Sequence, residues 1–351
     1  MIEQIAFDNP KHTFVIAEAG SNWKCGTYDE DLNQAKQLIK TAAKAGCDAV
    51  KFQTFRPELV YAYGAGKSSY LSKNGYDNDI NAIFTHLTMP YEMIPELAKF
   101  CVKQKIMFMS TPFSVEDAKH VDDFVSIHKI ASYEINHVRL LEHLAKTEKP
   151  ILISTGASTY KQIDFAVNLV KKLKNNNIGL MQCTAKYPSP LNRMNLSVMP
   201  KMQSRYNVPI GLSDHSLDPI IAPVLAVGLG ATFIEKHFTL DKSLPGPDHA
   251  FALNPVELEL MVKSIRNADA AKGNGQKKIL DVEKELWKFA TRSIQATKKI
   301  QKGEILREGH NFDILRPGTQ SRGLDPIFLD KVNGKRANKN YDIGQGIRGY
   351  K

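Results

Sequence analysis

The residues of this chain best suited to chemistry stand at the ends of short apolar runs. Residues 231–234 lead into Glu235, Lys236 and His237, and Asp248 and His249 follow after a short loop. Residues 209–212 lead in the same way into Ser213, Asp214, His215 and Ser216. Along a strand alternate side chains share a face, so Glu235 and His237 point to one side. Neighbouring strands lie about 4.8 Å apart, so two histidines on adjacent strand ends reach one divalent ion. Two imidazole nitrogens completed by oxygen ligands suit Mn²⁺, Zn²⁺, Fe²⁺ or Co²⁺, and open positions give such an ion a Lewis-acid role. The competing explanation is a pair of hydrogen-bonded structural histidines. His249 is a weaker candidate for a direct role.

Lys51 and Lys129 also fall at strand ends, where a buried ammonium needs an anion. Ser110, Thr111, Ser132, Ser154, Thr155 and Ser213 set hydroxyls around the same rim. Lysines and hydroxyls converging on one cavity suit a phosphate. A Schiff-base enzyme also needs a lysine of this kind, but no lysine here has a context that marks it as the nucleophile. Glu18, Glu134, Asp214, Glu235 and Asp248 form the carboxylate pool, available to balance the cations, hold hydroxyls or transfer protons. Trp23 and Trp287 read as packing residues, with Trp23 near enough to a strand end to line the pocket.

These residues need elements that bring them to one place. Apolar runs ending near residues 18, 52, 111, 130, 154, 183, 214 and 236 alternate with helical patterns. Eight strand–helix units predict an α/β fold, a (β/α)8 TIM barrel, rather than a doubly wound sheet, whose G-x-G-x-x-G turn is missing. Polar residues gather at the C-terminal strand ends, the face on which such barrels build active sites. Residues 56–81, rich in Gly and Tyr, read as an insertion loop over that face. The barrel is expected over residues 1–272 and a linker over 273–290. A small, mostly β domain is expected over 291–351, where 13 Lys or Arg stand against 6 Asp or Glu.

Composition narrows the function classes. The 351 residues are 42% hydrophobic and 24% charged, with a mean hydropathy of −0.31 and a net charge of +10. The lysines are spread along helices without a nucleic-acid-binding signature, so no nucleic-acid partner is expected. No apolar run is long enough to span a membrane, and the N-terminus lacks the basic start and apolar core of a signal peptide. Four scattered cysteines predict reduced thiols and a cytoplasmic location.

A set of short motifs in fixed order carries a resemblance. AEAGSNWKCG (17–26), VKFQTF (50–55), STPF (110–113), KIAS (129–132), STG (154–156), QCTAKYPSP (182–190), GLSDHS (211–216), IEKHFTLD (234–241) and GPDHAF from Gly246 span the predicted barrel. RSI (292–294), KKIQKGE (298–304) and RPG (316–318) follow. Together they resemble the sialic acid synthase family, phosphoenolpyruvate-dependent enzymes that make nonulosonic acids, with a C-terminal antifreeze-like (SAF) domain.

The resemblance implies roles for particular residues. His215 and His237 look like metal ligands, usually for Mn²⁺, with Mg²⁺ or Co²⁺ as alternatives. Lys51, Thr111, Lys129, Ser132, Ser154 and Ser213 look like phosphoenolpyruvate contacts. Gln53, Glu134, Tyr187 and Asp248 are similar to residues that hold the acceptor sugar, and Glu18 and Glu235 to carboxylates near the reacting centre. The family's C-terminal domain crosses to a partner subunit, which implies a homodimer with Arg316 reaching the neighbour's sugar.

Two departures bear on the acceptor. Trp23 stands where the family commonly has His, and Ala185 where Asn or Ser often follows Cys-Thr. Both point to a sugar bulkier or less polar than N-acetylmannosamine, such as a 2,4-diacetamido-trideoxyhexose, and GPDH leans toward the sialic or legionaminic branches. A barrel aldolase working without phosphoenolpyruvate, by Schiff base or metal, is the second reading. A non-catalytic carbohydrate-binding protein is the third.

Overall fold

The computed structural model describes residues 11–68, 71 and 76–351, which divide into two compact units at Gly273. In the first unit, strands β1 (Phe14–Gly20), β2 (Ala49–Thr54), β3 (Met107–Pro112), β4 (His128–Ile130), β5 (Ile151–Ser154), β6 (Ile178–Cys183), β7 (Ile210–Asp214) and β8 (Phe233–His237) form one sheet. Their order is β3-β2-β1-β8-β7-β6-β5-β4, all parallel, and β1 pairs with both β2 and β8. The sheet therefore curls into a nearly closed barrel, with β3 beside β4 at the seam. This is the predicted TIM-barrel architecture.

Strands buried on both faces read as continuous apolar runs. Phe14, Ile16, Ala49, Met109, Ile127, Leu152, Met181 and Phe233 fill the barrel interior. The alternate residues, among them Val15, Val50, Phe108, Ile153, Leu180 and Ile234, pack outward under the helices. Gly211 makes room for this interior. A Cβ there would lie 1.9 Å from the Phe233 ring, so β7 gives up a side chain to admit one from β8.

One helix follows each strand: α1 (Tyr28–Ala45), α2 (Met93–Gln104), α3 (Val115–Val121), α4 (Val138–Lys146), α5 (Tyr160–Lys172), α6 (Val198–Tyr206), α7 (Ile221–Gly228) and α8 (Pro255–Lys272). α1 starts where the Thr27 amide donates to Glu30 and stops at Gly46, in the left-handed conformation with φ 84°. α8 closes the ring from below. Its Arg266 donates to Asp48 at 2.8 Å, Asp48 accepts from His12 and the Val15 amide, and Asp269 accepts from Thr13. No helix among the described residues is long and apolar enough to cross a membrane.

Within the expected loop 56–81, residues 69, 70 and 72–75 lie outside the described residues, as do residues 1–10 of the N-terminal stretch. The described part is more ordered than a loop. It contains a helical turn, Pro57–Val60, and the start of a helix, Ile80–Leu87. Ile83 and Leu87 of that helix pack on Phe55.

The second unit contains helix α9 (Lys284–Ala290), within the stretch expected to be linker. An antiparallel pair follows, β9 (Ser293–Ala296) and β10 (Phe312–Leu315). Ile294, Ile300, Leu306, Phe312, Val332, Tyr341 and Ile347 form its own core.

Candidate functional site

Strand parity assembles the site. The residues that continue the interior face past the C-terminal edge of the packed layer are Glu18, Lys51, Gln53, Thr111, Lys129, Ser154, Cys183, Ser213 and Glu235, with His215 and His237 beyond. Lys51 Nζ lies 2.6 Å from Glu18 Oε2 and 3.7 Å from Glu235 Oε1, and donates to Thr111 Oγ1 at 2.8 Å. Lys129 Nζ donates to Ser154 Oγ at 2.7 Å and lies 3.9 Å from Glu235 Oε1. Ser213 Oγ donates to Glu235 at 3.3 Å, and Gln53 donates to Glu18 at 2.9 Å. Two ammonium groups and two carboxylates thus share a buried space bordered by hydroxyls.

Their charge states follow from that burial. Desolvation works against the Lys51 ammonium, but Glu18 and Glu235 outweigh it and hold its pKa above the ordinary value. Desolvation pushes Glu18 up to about 7 against the pull of Lys51, with Glu235 adding to the rise. Glu235 is driven up by burial too, yet Lys129 and Lys51 together hold it below the usual carboxylate range. Burial draws Lys129 down, partly offset by Glu235. Near neutral pH the cluster carries one firmly ionised carboxylate and one that titrates.

The two histidines stand beside this cluster with ring centroids 5.5 Å apart. His215 Nδ1 contacts the Thr184 carbonyl oxygen at 3.0 Å. A carbonyl only accepts, so Nδ1 carries a proton. Burial works against the imidazolium, but Cys183, the Thr184 carbonyl and Asp214 raise the His215 pKa above its ordinary value, so Nε2 would have to lose a proton to ligate a cation. His237 Nδ1 is buried without a hydrogen-bond partner and lies 3.8 Å from Asp248 Oδ2. Burial, with His215 and Lys51, holds His237 well below its ordinary pKa, in the neutral form that binds metals. No group of three or more His, Cys, Asp or Glu among the described residues is arranged to hold a metal. Two imidazoles, with His215 deprotonated at Nε2, fit a cation whose other positions are taken by water and substrate oxygens.

Tyr187 covers His215 at 4.1 Å between centroids, and Phe251 lies 5.2 Å from His237. Glu134, on the turn Ser132–Glu134, is buried with Oε2 unpartnered, and desolvation pushes it up to about 7. Asp248, raised to about 6 by burial, comes within 3.3 Å of where a Cβ on Gly20 would stand. Gly20 has φ 54°, so this close approach and the backbone conformation both call for glycine. Ser132 Oγ accepts from the Gly156 amide at 2.9 Å. Arg316 is exposed in the second unit, just after β10.

Several residues from the sequence stand elsewhere. Asp214 points outward from β7 and meets Lys236 at 2.5 Å, so it leaves the carboxylate pool. Ser110 is outward on β3 and bonded to Thr54, and Thr155 donates to the Met181 carbonyl, so neither serves the rim. Trp23 is buried in the core beneath α1 and contributes nothing to a pocket wall. His249 is held by Thr239 Oγ1 at 2.6 Å, a packing role. Conversely, Cys183, Lys236 and Phe251 were missed. The period-two alternation through QCT and EKH carried the signal for the first two.

Comparison with known proteins gives the chain's family. Residues 38–277 match the model of the NeuB family. The spore coat polysaccharide biosynthesis protein SpsE of Bacillus subtilis is 40% identical over 350 residues, covering 95% of this chain and 92% of that one. Its crystal structure superposes with a TM-score of 0.65, covering 97% and 95% of the two chains. The N,N'-diacetyllegionaminic acid synthase of Campylobacter jejuni is 37% identical, covering 96% and 99%. A pseudaminic acid synthase of the same species is 35% identical, covering 97% of each. The fold and these relatives define a (β/α)8 barrel enzyme. The chain belongs to the NeuB family.

Proposed function

We propose that the protein condenses phosphoenolpyruvate with the open-chain form of an N-acylated hexosamine, releasing phosphate and forming a nonulosonic acid. The observation that carries this is the buried quartet Lys51, Glu18, Lys129 and Glu235 beside His215 and His237, in a chain of this family. Named relatives are synthases of legionaminic and pseudaminic acids, and their identities of 37% and 35% do not separate the branches. GPDH favours the sialic or legionaminic branches, and Ala185 an acceptor bulkier or less polar than N-acetylmannosamine, such as a 2,4-diacetamido-trideoxyhexose. Trp23, buried in the core, gives no support to either.

In this mechanism Lys51, Lys129 and the hydroxyls of Thr111, Ser132, Ser154 and Ser213 hold the phosphate and carboxylate of phosphoenolpyruvate. Its C3 forms a bond to the aldehyde carbon, and the aldehyde oxygen takes up a proton. Water adds at C2 and gives up a proton, and the C2–O bond to phosphate then breaks as the C2 hydroxyl passes its remaining proton to the departing phosphate, leaving the C2 ketone. A carboxyl near 7, such as Glu18 or Glu134, can accept a proton in one step and return it in another. Gln53, Glu134, Tyr187 and Asp248 orient the acceptor. A divalent cation held by His215 and His237, Mn²⁺ or alternatively Mg²⁺ or Co²⁺, supplies Lewis acidity toward the acceptor carbonyl.

The second unit is read as an antifreeze-like domain that reaches the partner in a homodimer, with Arg316 offered to the partner's acceptor. Exposed Val282, Leu286 and Phe289 on and before α9 suit a surface that another chain covers. A Schiff-base aldolase would have to use Lys129, whose pKa burial lowers, because Lys51 is held in its protonated form by its carboxylates. The deciding measurement is phosphate release from phosphoenolpyruvate with Mn²⁺, offering N-acetylmannosamine and 2,4-diacetamido-2,4,6-trideoxymannose separately and weighing each product. Release with one sugar fixes reaction and branch. Turnover of a carbonyl substrate without phosphoenolpyruvate, trapped by borohydride, would favour the aldolase.

A further inference from the structure

Directly behind the two histidines, on the outward face of the barrel wall, lies a second buried polar cluster. Asp214 and Lys236 are register partners on β7 and β8, one step before His215 and His237. Lys236 Nζ reaches Asp214 Oδ2 at 2.5 Å, the Ser216 carbonyl oxygen at 2.5 Å and Ser216 Oγ at 3.1 Å. Asp214 Oδ1 accepts from the Ser216 amide at 2.7 Å. Ser216 is thus gripped at its amide, its carbonyl and its hydroxyl by the two charged side chains. His215 sits between the two gripped residues, and its own carbonyl accepts from the Ser189 amide at 2.9 Å.

This arrangement is costly for a stability device. Both side chains are almost wholly buried, and a buried ion pair is commonly matched or bettered by an apolar pair of the same volume. The pair lies on the outward face of the strands, with the carboxylates of Asp218 and Glu257 also acting on Lys236. What an apolar pair cannot do is hold three polar atoms of Ser216. An irregular backbone leaving a strand end has no ladder to define it, so the direction in which His215 leaves β7 depends on such bonds.

We propose that the Asp214–Lys236 pair, acting through Ser216, is a positioning device that sets His215 and His237 at the separation a shared divalent cation requires. This rests on the metal-dependent reading above. Lys236 is the hinge of the device. Its flanking residues Glu235 and His237 face the cavity, while its own side chain ties the end of β8 to the turn that carries His215. Neither Asp214 nor Lys236 touches substrate or cation. Each acts through the backbone of its neighbours.

The test compares wild type with the double variant Asp214→Leu/Lys236→Met, which replaces the pair by apolar side chains. Three readouts are taken: thermal midpoint, Mn²⁺ affinity by electron paramagnetic resonance, and the His215 ring-nitrogen tautomer by NMR of the metal-free protein. The expected result is a midpoint within a few degrees of wild type and a Mn²⁺ affinity at least about tenfold weaker. The Nδ1–H tautomer is expected to give way to a mixture. Should the double variant not fold, Asp214→Asn, which keeps the shape and the Ser216 amide acceptor, is measured in the same way.

Unchanged affinity with an unchanged tautomer overturns the proposal. So does loss of affinity only in proportion to loss of stability in both variants, because the pair then merely holds the fold. A wild type that binds no Mn²⁺ but whose His215 tautomer is lost in the variants refutes the metal and leaves the positioning role standing.

Discussion

Glu18 and Lys51 are register partners on β1 and β2, and their side chains meet at 2.6 Å in the barrel mouth. Lys51 also reaches Glu235, so one ammonium lies between two buried carboxylates. Lys51→Met removes the cation and leaves Glu18 to take up a proton, while Lys129 still faces Glu235. The expected outcome is a fall in kcat/KM for phosphoenolpyruvate of about 10²–10³, typical of removing one preorganised charge from a reacting centre. Steady-state phosphate release measures it. A loss below about fivefold would place the phosphoenolpyruvate site elsewhere.

His237→Ala removes a buried imidazole whose ring nitrogen has no protein hydrogen-bond partner at Nδ1. The variant is expected to stay folded by circular dichroism, because no protein hydrogen bond to Nδ1 is lost. Mn²⁺ binding and activity are both expected to disappear. Full activity in a thoroughly chelated sample of this variant counts against the metal assignment.

Glu134 gives a stability signature with a definite sign. Its folded-state pKa is pushed up to about 7 from 4.5, chiefly by burial. The folded state therefore holds a proton that the unfolded state has lost between those values. The stabilisation is complete below about 4.5 and is lost as pH rises through 7. Glu134→Gln, which stays neutral, should gain in melting temperature relative to wild type on going from pH 5 to pH 8. A constant difference across that range contradicts the buried, protonatable carboxyl.

His128 and His249 have the opposite dependence. Burial pushes His128 down to about 3 and His249 to about 4, while in the unfolded chain both titrate near 6.5. The unfolded state binds more protons in this window, so stability is fully present above 6.5 and declines as pH falls toward 4. His128→Leu, at a position where both ring nitrogens lack hydrogen bonds, should flatten that decline. Thermal melts from pH 4 to 7.5 compare the two slopes.

The barrel was legible because strands covered on both faces must be apolar along their whole length, and eight such runs ended in polar residues. Parity within VKFQ and IEKH was enough to turn Lys51, Gln53, Glu235 and His237 inward. Asp214 went astray because SDHS holds four adjacent polar residues, and only the register with Lys236 decides which of them face out. The packing reading of Trp23 holds, and only its pocket-lining alternative fails, because the indole is buried in the core cluster. Ser110 and Thr155 share the limit met at Asp214, since a hydroxyl at a strand end serves a neighbouring backbone as readily as a ligand.

The floor of the barrel is knotted by Asp48, which takes bonds from His12, Val15 and Arg266, while Thr13 is held by Asp269. Order in sequence and continuity in space are thereby decoupled, since Thr13, at the start of the first strand, is fastened directly to the last helix. The wall is weakest at the junction of β3 and β4, which lack a mutual ladder. A circularly permuted barrel, spliced near residues 12 and 272 and cut between α3 and β4, would keep every paired strand with its partner. Its new termini would emerge where the wall is already parted.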